Sequence, residues 1–154
     1  MHSLVSKLNE QHEMLLASLD QSLAPFAEIR DKRLPVPPNA ETIARPLLRW
    51  MQRAFLPHLV EEEELFRPYF MRSEEGEALF ASIGAEHAKL RKLLHQAREE
   101  VNLLLCENSI REAWWDTLDL WAVWALRRAL SQHIEFERRE VLPKAIALDV
   151  NPTA

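Results

Sequence analysis

The sequence predicts an all-α protein, an up-down-up-down four-helix bundle, and three observations lead there. Only 2 of the 154 residues are Gly and long stretches carry no Pro, a composition that favours helix throughout. Apolar residues recur at helical spacing in four stretches bounded by breakers. The stretches are long and joined by short links and one longer one, which suits antiparallel neighbours. A chain of 154 residues fits a single domain, 1–154. That length buries roughly 70% of the unfolded surface, so no metal is needed to rescue a small core.

The first helix is expected over about 3–26, where Leu8, Leu15, Leu16, Leu19 and Leu23 form one stripe. Pro35, Pro37 and Pro38 forbid helix and mark the long connection, which ends at Asn39, an N-cap residue type. The second helix runs over about 40–71. Pro46 falls in its first turns, whereas Pro57 lies inside it and should loosen or bend it just before His58. The third spans about 73–107. Ser109 with Glu112 three residues on is a capping-box signature that opens a fourth helix ending near 142. The turn between the third and fourth helices is very short, which makes those two antiparallel neighbours.

Composition removes several classes of function. Nineteen basic and 24 acidic residues leave a net charge of -5 with no basic block, so nucleic acid is not an expected partner. No apolar run approaches the roughly 20 residues of a membrane span. The start of the chain turns polar too soon for a signal peptide and the lone Cys106 has no internal disulfide partner, so a cytoplasmic location is expected. Cys106 reads as a small space-filling hydrophobe.

Self-comparison yields the sharpest signal. A shift of 75 maps His12 onto His87, His58 onto His133, Glu62 onto Glu137 and Pro68 onto Pro143. The two halves therefore read as related helical hairpins built on one template. A separation of four places Glu62 beside His58, and Glu137 beside His133, on one helix face. His58 and His87 lie at similar distances either side of the turn near Arg72, so two hairpins can bring two His and one Glu each to one level. Four imidazoles and two carboxylates able to bridge favour a pair of iron ions, while di-zinc and di-manganese fit the same donors.

Taken one at a time, these features have ordinary explanations. A single helical His is usually a surface residue or a satisfied core residue, and it is the joint register that argues for a metal site. His2 and His95 fall outside the template, and His95, about 80° around the helix from His87, should face solvent. The run Glu61 to Glu64 reads as a solvated cluster in which Glu62 alone faces inward. Trp114, Trp115, Trp121 and Trp124 are expected mainly as core, although adjacent Trp114 and Trp115 cannot both point inward and one could serve a homodimer contact.

The segments EQHEMLL, HLVEEEELFRP, AEHAKLRKLL and HIEFERREVLP resemble the HHE cation-binding branch of the hemerythrin family over nearly the whole chain. Glu-x-x-His motifs of ferritin-like bundles are absent. The resemblance implies a non-haem di-iron centre with a bridging oxygen species. His12 and His58 would bind one iron and His87 and His133 the other, with Glu62 and Glu137 bridging. Oxygen carriers of the family have His-x-x-x-His on the third helix, but Arg91 stands four residues after His87. An open position on each iron then suits reaction or sensing of oxygen, nitric oxide or peroxide, in stress response, better than simple carriage. Leu15, Leu16, Leu65, Leu90, Leu130 and Phe136 lie within two turns of the ligands and would exclude water. Arg91 is expected to point inward, to pair with Glu62 or Glu137 or to stabilise a reduced or anionic iron-bound species; the ordinary alternative is a long stem that snorkels outward to solvent. The competing readings are a module whose iron occupancy controls a protein interaction, and a bundle that holds no physiological metal.

Overall fold

The computed structural model describes residues 2–34, 39–106 and 120–150, and no strand occurs among them. The first rod is α1 (His2–Lys32). The second is α2 (Ala40–Trp50), a π turn (Met51–Phe55) and α3 (Leu56–Phe70). The third is α4 (Glu74–Cys106). The fourth is α5 (Trp121–Phe136), a second π turn (Glu137–Val141) and α6 (Leu142–Val150). α1 packs on α2 and α5, and α4 packs on α3 and α5, which closes the ring of an up-down-up-down bundle.

The helix ends differ from the sequence expectation where packing extends them. α1 passes Pro25 and continues to Lys32 because Phe26 and Ile29 prolong its buried stripe. It closes on Arg33 in left-handed geometry (φ 48°), with the Leu34 N–H bonded to the Ile29 carbonyl at 3.0 Å. Asn39 occupies the N-cap position of α2 but makes no side-chain cap; its backbone carbonyl accepts from Thr42 and Ile43 instead. Ser73 does cap α4, its Oγ accepting the Gly76 N–H at 3.1 Å. A Cβ on Gly76 would overlap the Phe70 carbonyl, so the tight link from α3 to α4 needs glycine there.

Both π turns close on a Leu-Pro pair. The Leu56 N–H reaches the Met51 carbonyl and the Leu142 N–H reaches the Glu137 carbonyl, each five residues back. A Pro ring clashes with the carbonyl four residues before it, and widening the preceding turn relieves that contact. Pro25 and Pro68 sit in regular helix, so proline alone does not dictate the turn. Pro57 thus perturbs the helix just before His58, as expected. Pro143 does not end the fourth rod near 142, because the π turn absorbs it and α6 runs on to Val150.

The fourth rod also starts differently. Ser109, Glu112, Trp114 and Trp115, and the expected short turn, lie within 107–119, outside the described residues. A helix unbroken from 109 to 142 is not what forms, since Leu120 precedes α5 in non-helical geometry. Trp121 is 66% exposed and not part of the core, whereas Trp124 packs against it beneath the Arg30 guanidinium, 4.6 Å from the ring.

The buried apolar side chains form two clusters. Leu15, Phe55, Leu90 and Leu130 belong to one, and Leu8, Phe66, Ile83 and Val141 to the other. Every rod contributes to both; His12 and His87 lie between the two contributions on the first and third rods, while on the second and fourth the site residues overlap their edges, with Leu59 after His58 and Ile134 after His133. The apolar core is therefore interrupted by a polar layer.

The first turn of α5 is capped from another helix. Glu100 on α4 accepts the Ala122 N–H at 2.9 Å and the Val123 N–H at 3.2 Å, placing a carboxylate where the helix dipole is positive. Glu100→Ala should cost about 1–3 kcal/mol in urea denaturation. Glu99→Ala, which removes only the exposed contact to His95, should stay within about 0.5 kcal/mol. Equal unfolding midpoints for the two variants would show that the cap adds nothing.

Candidate metal centre

His12, His58, Glu62, His87, His133 and Glu137 are the buried polar or charged residues among those described. Glu62, His87, His133 and Glu137 are 0% exposed, His12 is 2% and His58 7%. The four rings all turn Nε2 toward the carboxylates. Glu62 Oε1 lies 3.1 Å from His12 Nε2 and 3.7 Å from His58 Nε2, while its Oε2 lies 3.1 Å from His87 Nε2 and 3.5 Å from His133 Nε2. Glu137 places Oε2 3.2 Å from His12 and Oε1 3.4 Å from His133. The rings meet edge-on in two pairs, His12 with His58 at 5.1 Å and His87 with His133 at 4.9 Å. Each carboxylate thus offers one oxygen to each imidazole pair.

The layer is poorly satisfied by protein groups alone. Both Glu137 oxygens, His58 Nε2 and His133 Nδ1 are buried without a hydrogen-bond partner. Each such atom costs of order 1–3 kcal/mol, which makes four in one layer a chemical signal. Burial, and then the charge of Glu62, push the Glu137 carboxyl well above the usual range. Burial opposes ionisation of Glu62 too, but hydrogen bonds from His12, His133 and His87 outweigh it and hold Glu62 well below that range. Burial lowers the His58 pKa against the pull of Glu62, and His12, His133 and His87 lower it further. A cation in the layer would accept the lone pairs of the Glu137 oxygens and of His58 Nε2 and neutralise both carboxylates, so the donor set fits a metal.

Comparison with known protein families matches residues 3–145 to the hemerythrin HHE cation binding domain. The chain belongs to the hemerythrin family. Searches of curated proteins and of solved structures find no significant match. Cation binding is the property that defines this family, and the buried His and Glu cluster of this hemerythrin domain fits a metal site. No helix among the described residues is long and apolar enough to cross a membrane.

Two residues of this hemerythrin site differ from the sequence reading. Glu63 is not a solvated member of the Glu61 to Glu64 run: it accepts the His87 Nδ1–H at 2.8 Å and is only 27% exposed at its side chain. Arg91 does not reach Glu62 or Glu137. Its guanidinium donates to Glu63 Oε1 at 2.9 Å, at the rim of the bundle. The layer is already filled by six side chains, and Glu63, 2.9 Å away and partly exposed, gives the guanidinium a partner short of it. Burial would raise the Glu63 pKa, but hydrogen bonds from His87 and Arg91 bring it below the usual range. The only sequence signal for Glu63 was its place beside Glu62. His95 is exposed and pairs with Glu99, as expected.

In protein stripped of metal the two site carboxylates respond oppositely to pH. The stability linked to Glu137, whose folded pKa is raised, is full below the ordinary glutamate value and is lost as pH rises through the raised value. That linked to Glu62, whose folded pKa is lowered, is present above the ordinary value and is lost as pH falls through the lowered one. Urea denaturation of stripped protein should therefore show stability declining on the alkaline side of the ordinary glutamate range. Glu137→Gln, which cannot ionise, should remove part of that decline. Parallel pH profiles for the two proteins would mean that Glu137 folds in its ionised form.

Proposed function

We propose that this protein is a non-haem di-iron protein that binds or reacts with oxygen, nitric oxide or peroxide, in stress response or sensing. The observation that carries the reading is the division of each buried carboxylate, one oxygen toward His12 and His58 or His12 alone, the other toward His87 and His133 or His133 alone. Such a division suits two cations sharing two carboxylates. His12 and His58 would hold one, His87 and His133 the other, and Glu62 and Glu137 would bridge. Imidazole with shared carboxylate favours iron over harder ions that prefer oxygen alone. Bound iron would supply a redox-active Lewis acid to which a small ligand can bind.

The chain's own residues would set the conditions for that chemistry. Leu15, Leu90 and Leu130 are buried in the cluster on one side of the layer, while Leu65 and Phe136 pack against the cluster on the other and Leu16 joins the first. Together they keep bulk water from the layer and leave surroundings in which a small apolar gas is retained. Four imidazoles and two carboxylates supply too few donors to saturate two six-coordinate ions, and Arg91, turned to Glu63, adds none.

Protein expressed with ample iron and purified without an affinity tag should hold close to two iron ions per chain by elemental analysis. Glu137→Ala should lose most of the iron, while Glu135→Ala and Glu140→Ala, on the outer side of the same rod, should keep it. Chelation should lower the melting temperature of the unmodified protein by several degrees. Less than one iron per folded chain, or equal loss from all three variants, would sink the reading.

A further inference from the structure

The sequence repeat makes the two halves of the site look equivalent, yet their surroundings are not. Shifted by 75, Glu63 maps onto Arg138, which turns outward to Glu135 and touches no imidazole. Among the described residues His87 is the one ring of the four whose outer nitrogen meets a carboxylate: His12, His58 and His133 contact carboxylates only through Nε2. A carboxylate oxygen accepts and cannot donate, so His87 carries a proton on Nδ1. Nε2 faces the layer, 3.1 Å from Glu62 Oε2 and 3.2 Å from His133 Nε2, where a cation would take the place of a proton. Glu63 keeps the Nδ1 proton paired, which leaves Nε2 as the nitrogen that would meet a cation. Arg91 holds the same Glu63 oxygen from the other side, which fixes the carboxylate in place.

We infer that Glu63, held by Arg91, is a positioning residue that makes the two cation positions unequal, so that the His87 and His133 position fills first and binds more tightly. The inference rests on the two-cation reading above. His12, the repeat counterpart of His87, has no outer carboxylate among the described residues and must settle its tautomer as the metal arrives. His58, beside it, is the most exposed of the four rings at 7%. Outer-shell partners of ligating imidazoles alter metal affinity by roughly 10–100-fold, which is enough to separate two binding steps. Arg91 thus stands where oxygen-carrying relatives place a ligand, and acts through Glu63 on the ring one turn before it.

The test is an anaerobic calorimetric titration of stripped protein with ferrous iron. The unmodified protein should take up two ions in two resolved steps. Glu63→Ala should weaken the tighter step by roughly 10–100-fold and leave the weaker step within about threefold. Glu63→Gln, which still accepts the Nδ1 proton, should recover much of that loss. Arg91→Ala should weaken the same step by less than Glu63→Ala, and Glu64→Ala, on the exposed side of the run, should change neither. Two ions bound in indistinguishable steps, or both steps weakened alike by Glu63→Ala, would overturn this inference and leave the two-cation reading standing. Uptake of fewer than two ions by the unmodified protein would overturn both.

Discussion

The structure depends on one constraint: four imidazoles and two carboxylates share a single buried layer between two apolar clusters. Apolar side chains above and below fix the height of that layer on every rod, since sliding one rod by a turn would drive its His or Glu into a cluster. The same arrangement leaves buried polar atoms without partners and holds Glu62 and Glu137 in opposite protonation tendencies. Helix propensity and packing can form the bundle without a metal. The buried Glu137 oxygens and His58 Nε2 have no partner among the protein's own groups, and a cation in the layer would supply one.

The helices meet that requirement through local departures from regularity. Widened turns on the second and fourth rods accommodate Pro57 and Pro143, but at different places relative to the buried His and Glu residues. One lies ahead of His58, and the other begins at Glu137 itself. The duplicated template therefore survives in the buried His and Glu side chains and not in the backbone that presents them. The outer shell diverges likewise, with Glu63 in one half and Arg138 in the other. Glu100 caps α5 in the same spirit, supplying from a neighbouring helix what Leu120 cannot.

Most of the layer was legible because it obeys two periodicities at once. His-x-x-x-Glu is a one-turn spacing that puts both groups on one helix face, and the repeat of 75 demands that this happen twice. The residues that escaped are those whose partners come from another helix. Within four consecutive glutamates the helical angle identifies Glu62 as stacked on His58, but whether Glu63 meets water or a ring depends on where α4 passes. The direction of Arg91 depends on the same contact, and the sequence reading sent it inward to carboxylates it does not touch. The fourth helix was expected to end near 142 because a π turn has no one-dimensional signature, and Trp121 read as core because its exposure is set by how α5 begins.

The central claim, that the polar layer is a two-cation site shared through its carboxylates, is most directly tested by diffraction from crystals of the iron-loaded protein at the iron absorption edge. The account predicts two anomalous peaks inside the layer, one between His12 and His58 and one between His87 and His133, each in contact with both Glu62 and Glu137. A single peak, peaks only at surface carboxylates, or no peak in the layer of a crystal shown to contain iron would contradict it.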